Sequence, residues 1–410
     1  MTALLQTPLI AAPAPSLKVF SFETLDAMAR IRPAWEYLEA RDPEGSIYLS
    51  WRWMNAVFTA FPGRWRVLAV REGGRLVALL PLKYRVHWSS SQGRLVSEIE
   101  AAGRLLYSEY IGFLCDPACE DLALRVLATN LKTRPWSSFS LKYEASAGRM
   151  AKFLSHFPKE RFDVREKDYF INGGTTDNLK CPRLSLPDDF ESYLTLQLGK
   201  NMRQKIRRFT RKYLDSGEMR VEWMEGARAA QGVDILMQLW KSKWLPIKGP
   251  GQSQRVEANY RRNLAAAARL GLLRVPMLFQ GERPVGALGH VLDPDHGRVH
   301  FIVAGRDENV SGGHIGPLLH SQSIQWAIAN RYRVYDFAHG DEAYKYGYGA
   351  QDVRVNYFSI RRRAAEVAQL DPLCQPLALD RAMAYLDDGD KARGQTIITQ
   401  ISALGRAAAL

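Results

Sequence analysis

Two stretches of this chain carry the same pattern of apolar and polar positions. Arg66–Leu80 reads RVLAVREGGRLVALL and Arg274–Leu288 reads RVPMLFQGERPVGAL, aligned without a gap at an offset of 208 residues. Arg66 coincides with Arg274, Val67 with Val275, Gly73 with Gly281, Arg75 with Arg283, Val77 with Val285, and Leu80 with Leu288. Each stretch is two apolar runs around a glycine-containing turn, which is the pattern of a β-hairpin. Upstream of each lies a tryptophan-bearing helical stretch, Trp51 to Phe61 in the first and Ile235 to Trp244 in the second. Downstream of each comes a helix and then a short strand: Leu122–Leu131 and Ser138–Tyr143, then Pro317–Ala329 and Arg333–Phe337. This order, occurring twice, predicts a duplicated α/β unit.

The second copy contains a glycine-rich connection that the first lacks. His300–Gly305 reads as a strand, and Pro317–Ala329 as a helix with Leu318, Leu319, Ile324, Ala327 and Ile328 on its apolar side. Between them run Gly312, Gly313 and Gly316. Glycines let the backbone approach a ligand closely, and the free N–H groups of a helix N-terminus attract phosphate oxygens. These three glycines are the expected cofactor-binding positions. Neither a Walker A motif nor a GxGxxG motif occurs here. The first copy has Cys115-Asp-Pro-Ala-Cys-Glu-Asp121 in the corresponding place, and its acids would repel a phosphate. Only the second half is expected to hold a cofactor.

A length of 410 residues exceeds what one core usually supports, so two domains are expected. The polar stretch Ile171–Asn178 marks a linker, and beyond Arg363 the chain turns alanine-rich and helical. The expected units are 1–175 without cofactor, 176–363 carrying the chemistry, and 364–410 as a helical appendage. The net charge of +13 favours an anionic partner: a cofactor phosphate, a polyanion or a membrane surface. Much of that charge lies on one predicted helix. Lys200, Arg203, Lys205, Arg207, Arg208, Arg211 and Lys212 follow one another without an acid between them, and Met202, Ile206, Phe209 and Tyr213 form its apolar stripe. Arg203, Arg207 and Arg208 are the expected contacts to phosphate or nucleic acid. The four cysteines contain no CxxC pair, so neither a metal site nor a disulfide framework is expected. No apolar run reaches the length of a membrane span, and the first basic residue is Lys18, so a cytoplasmic protein is expected, with peripheral membrane contact left open.

The densest polar segment is Tyr335–Gly349, which holds Asp336, His339, Asp341, Glu342, Tyr344, Lys345, Tyr346 and Tyr348 just after a strand. Polar groups at the carboxyl end of a strand are favoured for ligand contact in α/β folds. Asp341 is also a candidate helix N-cap, with Tyr344 and Lys345 on the first turn. The motif Asp336-Phe-x-x-Gly340-Asp341-Glu342-x-Tyr344-Lys345-Tyr346 resembles the CelD-type family of GNAT-superfamily acyltransferases, found in bacterial cellulose and exopolysaccharide clusters. The basic helix Asn201–Arg208 resembles the one opening the second domain in that family and in FemAB-like transferases. The resemblance covers roughly residues 185–360.

The resemblance implies an α/β (α+β) tandem GNAT-like acyl-CoA N-acyltransferase fold, two mixed sheets flanked by helices. It implies acyl-CoA, acetyl-CoA or longer, as co-substrate and an amine or sugar-amine as acceptor. Attack by an amine needs a base, for which Asp341, Glu342 and His339 are candidates. Tyr344 or Tyr346 could protonate the leaving group, and Lys345 could contact cofactor phosphate. The usual GNAT pyrophosphate loop, Arg/Gln-x-x-Gly-x-Gly/Ala, is not reproduced by Ser-Gly-Gly-His-Ile-Gly. That departure leaves a FemAB-like use of aminoacyl-tRNA open, as well as a non-catalytic GNAT-like scaffold in polysaccharide assembly.

Overall fold

The repeated hairpin forms the second and third strands of two matching sheets. A computed structural model describes residues 17–311, 313–363 and 370–408. In chain order the first half runs β1 (Leu17–Phe22), α1 (Leu25–Ala29), α2 (Arg32–Arg41), α3 (Trp51–Ala60), β2 (Trp65–Glu72), β3 (Arg75–Ser89), β4 (Arg94–Ala101) and β5 (Leu114–Cys115). It continues with α4 (Glu120–Thr133), β6 (Ser138–Glu144), α5 (Ala147–Leu154) and β7 (Phe162–Glu166), followed by a small ribbon, β8 (Phe170–Ile171) with β9 (Thr176–Asp177). The second half runs β10 (Lys180–Ser185), α6 (Phe190–Ser192), α7 (Lys200–Phe209), β11 (Met219–Met224), α8 (Ala229–Lys248), α9 (Pro250–Arg269), β12 (Leu273–Gln280), β13 (Arg283–Asp293) and β14 (Arg298–Arg306). Then come α10 (Ile315–Ala329), β15 (Val334–Asp336), α11 (Ala343–Tyr346), β16 (Gln351–Arg354) and β17 (Asn356–Arg362). A helical hairpin, α12 (Gln375–Asp387) and α13 (Lys391–Ala408), follows.

The sheets correspond strand for strand. The first has the order β1-β2-β3-β4-β6-β17-β7, with β5 beside β3; the second has β11-β12-β13-β14-β15-β10-β16. Both are antiparallel up to the fourth strand and then contain one parallel pair, β4–β6 or β14–β15. The hairpins agree in detail. Val70 pairs with Ala78 and Leu278 with Gly286, and each hairpin has its register shift at the next residue. Gly73 and Gly281 both turn at φ 57°, a conformation that costs glycine nothing. The architecture is α+β, two mixed sheets flanked by helices.

The halves exchange strands. β17, from the end of the second half, inserts between β6 and β7 of the first sheet; β10, which follows the first half, inserts between β15 and β16 of the second. The sheets are therefore not built from the contiguous stretches 1–175 and 176–363, because residues 356–362 complete the first. Pairing across such separations leaves no local mark on the sequence, since strand patterns report a face and not a partner.

On the second sheet, a side chain at Gly289 would meet Leu236 of α8 and Leu264 of α9, and one at Gly286 would meet Ile315 and Leu319 of α10. The odd spacing puts these helices on opposite faces. The α12–α13 hairpin lies on the first sheet, where Gln400 exchanges two hydrogen bonds with the Leu95 backbone and Asp371 pairs with the buried Arg66.

Between the halves runs a buried polar seam. Asp293 accepts from the Ile47 N–H at 3.0 Å, Asn263 donates to the Leu106 carbonyl, and Tyr110 donates to Asp336 at 2.8 Å. Asp336 is fully buried and also accepts from Arg183 of β10 at 2.8 Å. His300 lies 3.4 Å from Asp336 and 3.8 Å from Asp293. Burial alone would raise the Asp336 pKa, but Arg183 and His300 hold it well below the usual carboxylate range.

Candidate active site

The site begins where β14 and β15 part. Their parallel pairing ends at His300 and Asp336, but β14 continues to Arg306. β14 also slips register against β13 between Phe301 and Val303, leaving Ile302 outside the ladder. Phe301, Phe337 and Tyr348 pack in sequence where the strands separate, with ring centroids 6.3 and 5.5 Å apart.

At one end of this divergence stands the N-terminus of α10. Gly313 turns at φ +61°, which favours glycine, and neither Gly313 nor Gly316 has a neighbour within reach of an added Cβ. Gly312, the third expected glycine, lies outside the described residues. The helix starts at Ile315, two residues before Pro317, with His314 as its cap residue. His314 is only 4% exposed, and neither ring nitrogen has a hydrogen-bond partner. Its ring stacks on Tyr213 at 4.1 Å, and burial keeps it neutral by lowering its pKa.

Helix α7 connects this end to the Tyr335–Gly349 segment. Phe209 meets His314 edge-on at one end. At the other, Met202 packs close to Gly347, and Tyr193, just before α7, donates to the Tyr348 carbonyl. Of the three expected anion contacts, Arg207 already pairs with Glu191 and Arg203 donates to the Thr195 carbonyl. Arg208 lies over the Phe209 ring, and among the described residues no carboxylate pairs with it, with Arg211 or with Lys212.

At the far end is a cluster from both halves. His339 Nε2 lies 2.5 Å from the Glu109 carboxylate, and its Nδ1 lies 3.1 Å from the thiol of Cys181 on β10. Burial would depress the His339 pKa, but Cys181 and Glu109 raise it to about 9. His339 is therefore an imidazolium at neutral pH rather than a ready base. Glu109 keeps its charge: burial opposes this, but His339 and Arg104 lower its pKa. The charges of Glu109 and Glu342 both bear on the Tyr260 hydroxyl of α9, which burial and these two carboxylates hold above the ordinary phenol range. Tyr107, Tyr143 and Ala338 adopt positive φ at φ 54°, 70° and 52°. Such strain in residues other than glycine concentrates at functional sites.

The structure reassigns several expected site residues. Lys345 is not a free cofactor cation. Its ammonium is 3.0 Å from Glu342 and donates to the carbonyls of His339 and Gly340, so all its donors serve the loop. Asp341 is not a helix cap, because the cap residue of the four-residue α11 is Glu342. Asp341 accepts from the Asp177 N–H at 2.8 Å and from Lys180 at 3.1 Å, and it tethers the linker. Tyr344 is 46% exposed beside His320. Sequence reasoning missed Glu109, Cys181 and Arg183; each is distant in sequence from the segment it contacts.

Residues 200–346 match the family described as an acetyltransferase (GNAT) domain. This stretch is a GNAT acetyltransferase domain. With it the chain carries an acyl-transferring enzyme domain, set in a fold similar to that of FemX. The solved structure of FemX superposes over 80% of this chain and 95% of its own, at 10% identity and a TM-score of 0.56. A conserved protein of unknown function from Bacteroides thetaiotaomicron covers 84% of this chain and 99% of its own, at 14% identity and a TM-score of 0.46. A tandem GNAT protein from the clavulanic acid biosynthesis pathway covers 86% and 100%, at 11% identity and a TM-score of 0.44. No curated protein matches the chain significantly. Among the described residues no group of three or more His, Cys, Asp or Glu is placed to hold a metal ion, and no helix is long and apolar enough to cross a membrane.

Proposed function

We propose that this protein moves an acyl group from a phosphate-bearing carrier to an amine, at the place where the two halves meet. The observation that carries this reading is the divergence of β14 from β15, with the α10 N-terminus at one end and the Glu109–His339 pair at the other. The α10 end suits a phosphate. It offers free helix N–H groups, open space at Gly313 and Gly316, and the unpartnered imidazole of His314. The carrier supplies an activated acyl carbonyl; the protein holds its phosphate and presents the amine. An ammonium must lose a proton before it attacks. We assign that step to Glu109 or Glu342, which lie in the cluster itself, paired with His339 and Lys345, whereas Asp341 is turned to Lys180 and the Asp177 N–H of the linker. Tyr344, half-exposed beside His320, is the hydroxyl we assign to the leaving group.

Two carriers fit. The domain match and the α10 loop support acyl-CoA. The FemAB-like reading, an aminoacyl group borne on tRNA, is supported by the whole-chain likeness to FemX and by the unpaired cations of α7. The second is favoured by the extent of the likeness, since FemX superposes over 80% of this chain and the domain match spans residues 200–346 alone. An acceptor of sugar-amine type and a setting in exopolysaccharide or cell-envelope metabolism rest on the Asp336–Tyr346 resemblance alone, as does a cytoplasmic location on the absence of a spanning segment.

The test is to offer the purified chain acyl-CoAs of several lengths and aminoacyl-tRNA, each with a panel of amines, and to follow products by mass spectrometry. Transfer from tRNA without CoA affinity establishes the second carrier. Tight CoA binding with transfer establishes the first. No binding and no transfer with either rejects the proposal.

A further inference from the structure

A shallow cavity of about 280 Å³ opens between the first sheet and α12, far in the chain from the site above. Its charged lining is Arg64 at the entry to β2, Arg85 on β3, and Asp380 and Arg381 on α12, over an apolar base that includes Leu377. Arg85 is already neutralised by Glu98 and Glu100 at 3.0 and 2.9 Å. The other two guanidinium groups are not. Among the described residues no carboxylate pairs with Arg64 or Arg381, and the Arg64 Nε is buried without a hydrogen-bond partner. Arg381 only lies over the Tyr385 ring, at 4.8 Å. Leaving a buried charged donor unsatisfied is costly, so such a group marks a place where a partner belongs.

We infer that this cavity binds a small phosphate-bearing ligand, held by Arg64 and Arg381. Planar guanidinium groups match phosphate oxygens in paired, charge-assisted hydrogen bonds, which lysine does not reproduce. Asp380 on the same wall accepts from a hydroxyl or amine of the ligand and disfavours a second phosphate beside it. One contact comes from the first sheet and the other from α12. A bound ligand therefore ties the helical hairpin to the sheet, where Gln400 and Asp371 already hold it.

The experiment uses the full chain, inorganic phosphate as probe, and chloride at matched ionic strength as control. Phosphate is expected to raise the melting temperature and to bind by calorimetry, because a ligand of the folded state stabilises it. Arg64→Gln and Arg381→Gln are each expected to weaken binding by about tenfold or more, as loss of a charge-assisted contact does. Arg381→Gln lies on an exposed helix face and keeps the test valid should Arg64→Gln fold poorly. Vesicles containing phosphatidic acid, against pure phosphatidylcholine vesicles, separate the sources: capture lost in both variants identifies a lipid headgroup, and a response to free phosphate alone identifies a soluble ligand. No phosphate binding, or wild-type affinity in both variants, overturns the inference. So does a loss confined to Arg208→Gln, which would place the phosphate beside α7 instead.

Discussion

Tyr143 and His339 stack ring on ring, with centroids 3.7 Å apart and planes 21° from parallel. They occupy equivalent places in the two halves, each five residues beyond the start of its half's parallel pair, at Ser138 and Val334. The two halves thus touch at equivalent positions within the candidate site. Asn178 of the linker fixes the Tyr143 hydroxyl at 2.6 Å, and Glu109 and Cys181 fix the imidazole.

His339 sets a pH dependence. Its pKa of about 9 in the folded protein lies above its ordinary value of 6.5. The stability it contributes is therefore full below about pH 6.5 and is lost as the pH rises through about 9. Melting temperature is expected to fall across this window more steeply in the wild type than in His339→Gln or Glu109→Gln. Parallel curves for all three would show that the pair is not ionised as described.

Glu109→Gln should reduce turnover by roughly 10²–10⁴-fold, the usual size of a general-base effect. Carrier affinity should change little, because Glu109 pairs with His339 and not with the α10 N-terminus. Asp341→Asn should leave turnover close to wild type. Steady-state kinetics with the carrier identified as above decides this, and the reverse ranking would return the role to Asp341.

Lys345→Met should destabilise the fold by about 3 kcal/mol, because it strands two carbonyl acceptors and the Glu342 charge in a site where Lys345 is 2% exposed. Urea unfolding measures this. A stable variant with weakened carrier binding would instead restore Lys345 as a cofactor contact.

The cations of α7 divide by whether they already have an acid. Replacing Arg208, Arg211 and Lys212 together by Gln should cut the log–log salt slope of RNA binding by about 2, at roughly 0.7 per single-strand phosphate contact. Arg207→Gln should matter less, since Glu191 already pairs with it. Fluorescence anisotropy across a salt series checks both, and an unchanged slope in the triple variant removes α7 from the carrier site.

The sequence revealed whatever is periodic or local. The hairpins around Gly73 and Gly281, helices α4, α8 and α10, and the basic helix α7 all lie where apolar spacing predicts them. Their partners are set by contacts that spacing does not encode. Glu109 sits in an irregular segment among aromatic residues, and nothing in that segment signals a carboxylate bound for the other half. Cys181 has no nearby cysteine or histidine in the chain, so it reads as an ordinary core thiol. Lys345 illustrates the opposite error. Its positive charge within the Asp336–Tyr346 motif suggested a phosphate contact, but a buried ammonium must first satisfy its own donors, and the closest acceptors are carbonyls of the same turn.

The strand exchange imposes an order of events on synthesis. β6 and β7 leave the ribosome early, yet the strand that belongs between them is made about 190 residues later, after all the rest of the second sheet. At translation rates of about 5–20 residues per second, the first sheet waits roughly 10–40 s with two facing edges unpaired. Open edges recruit other strands, so this enzyme is most exposed to mispairing while it is still a nascent chain.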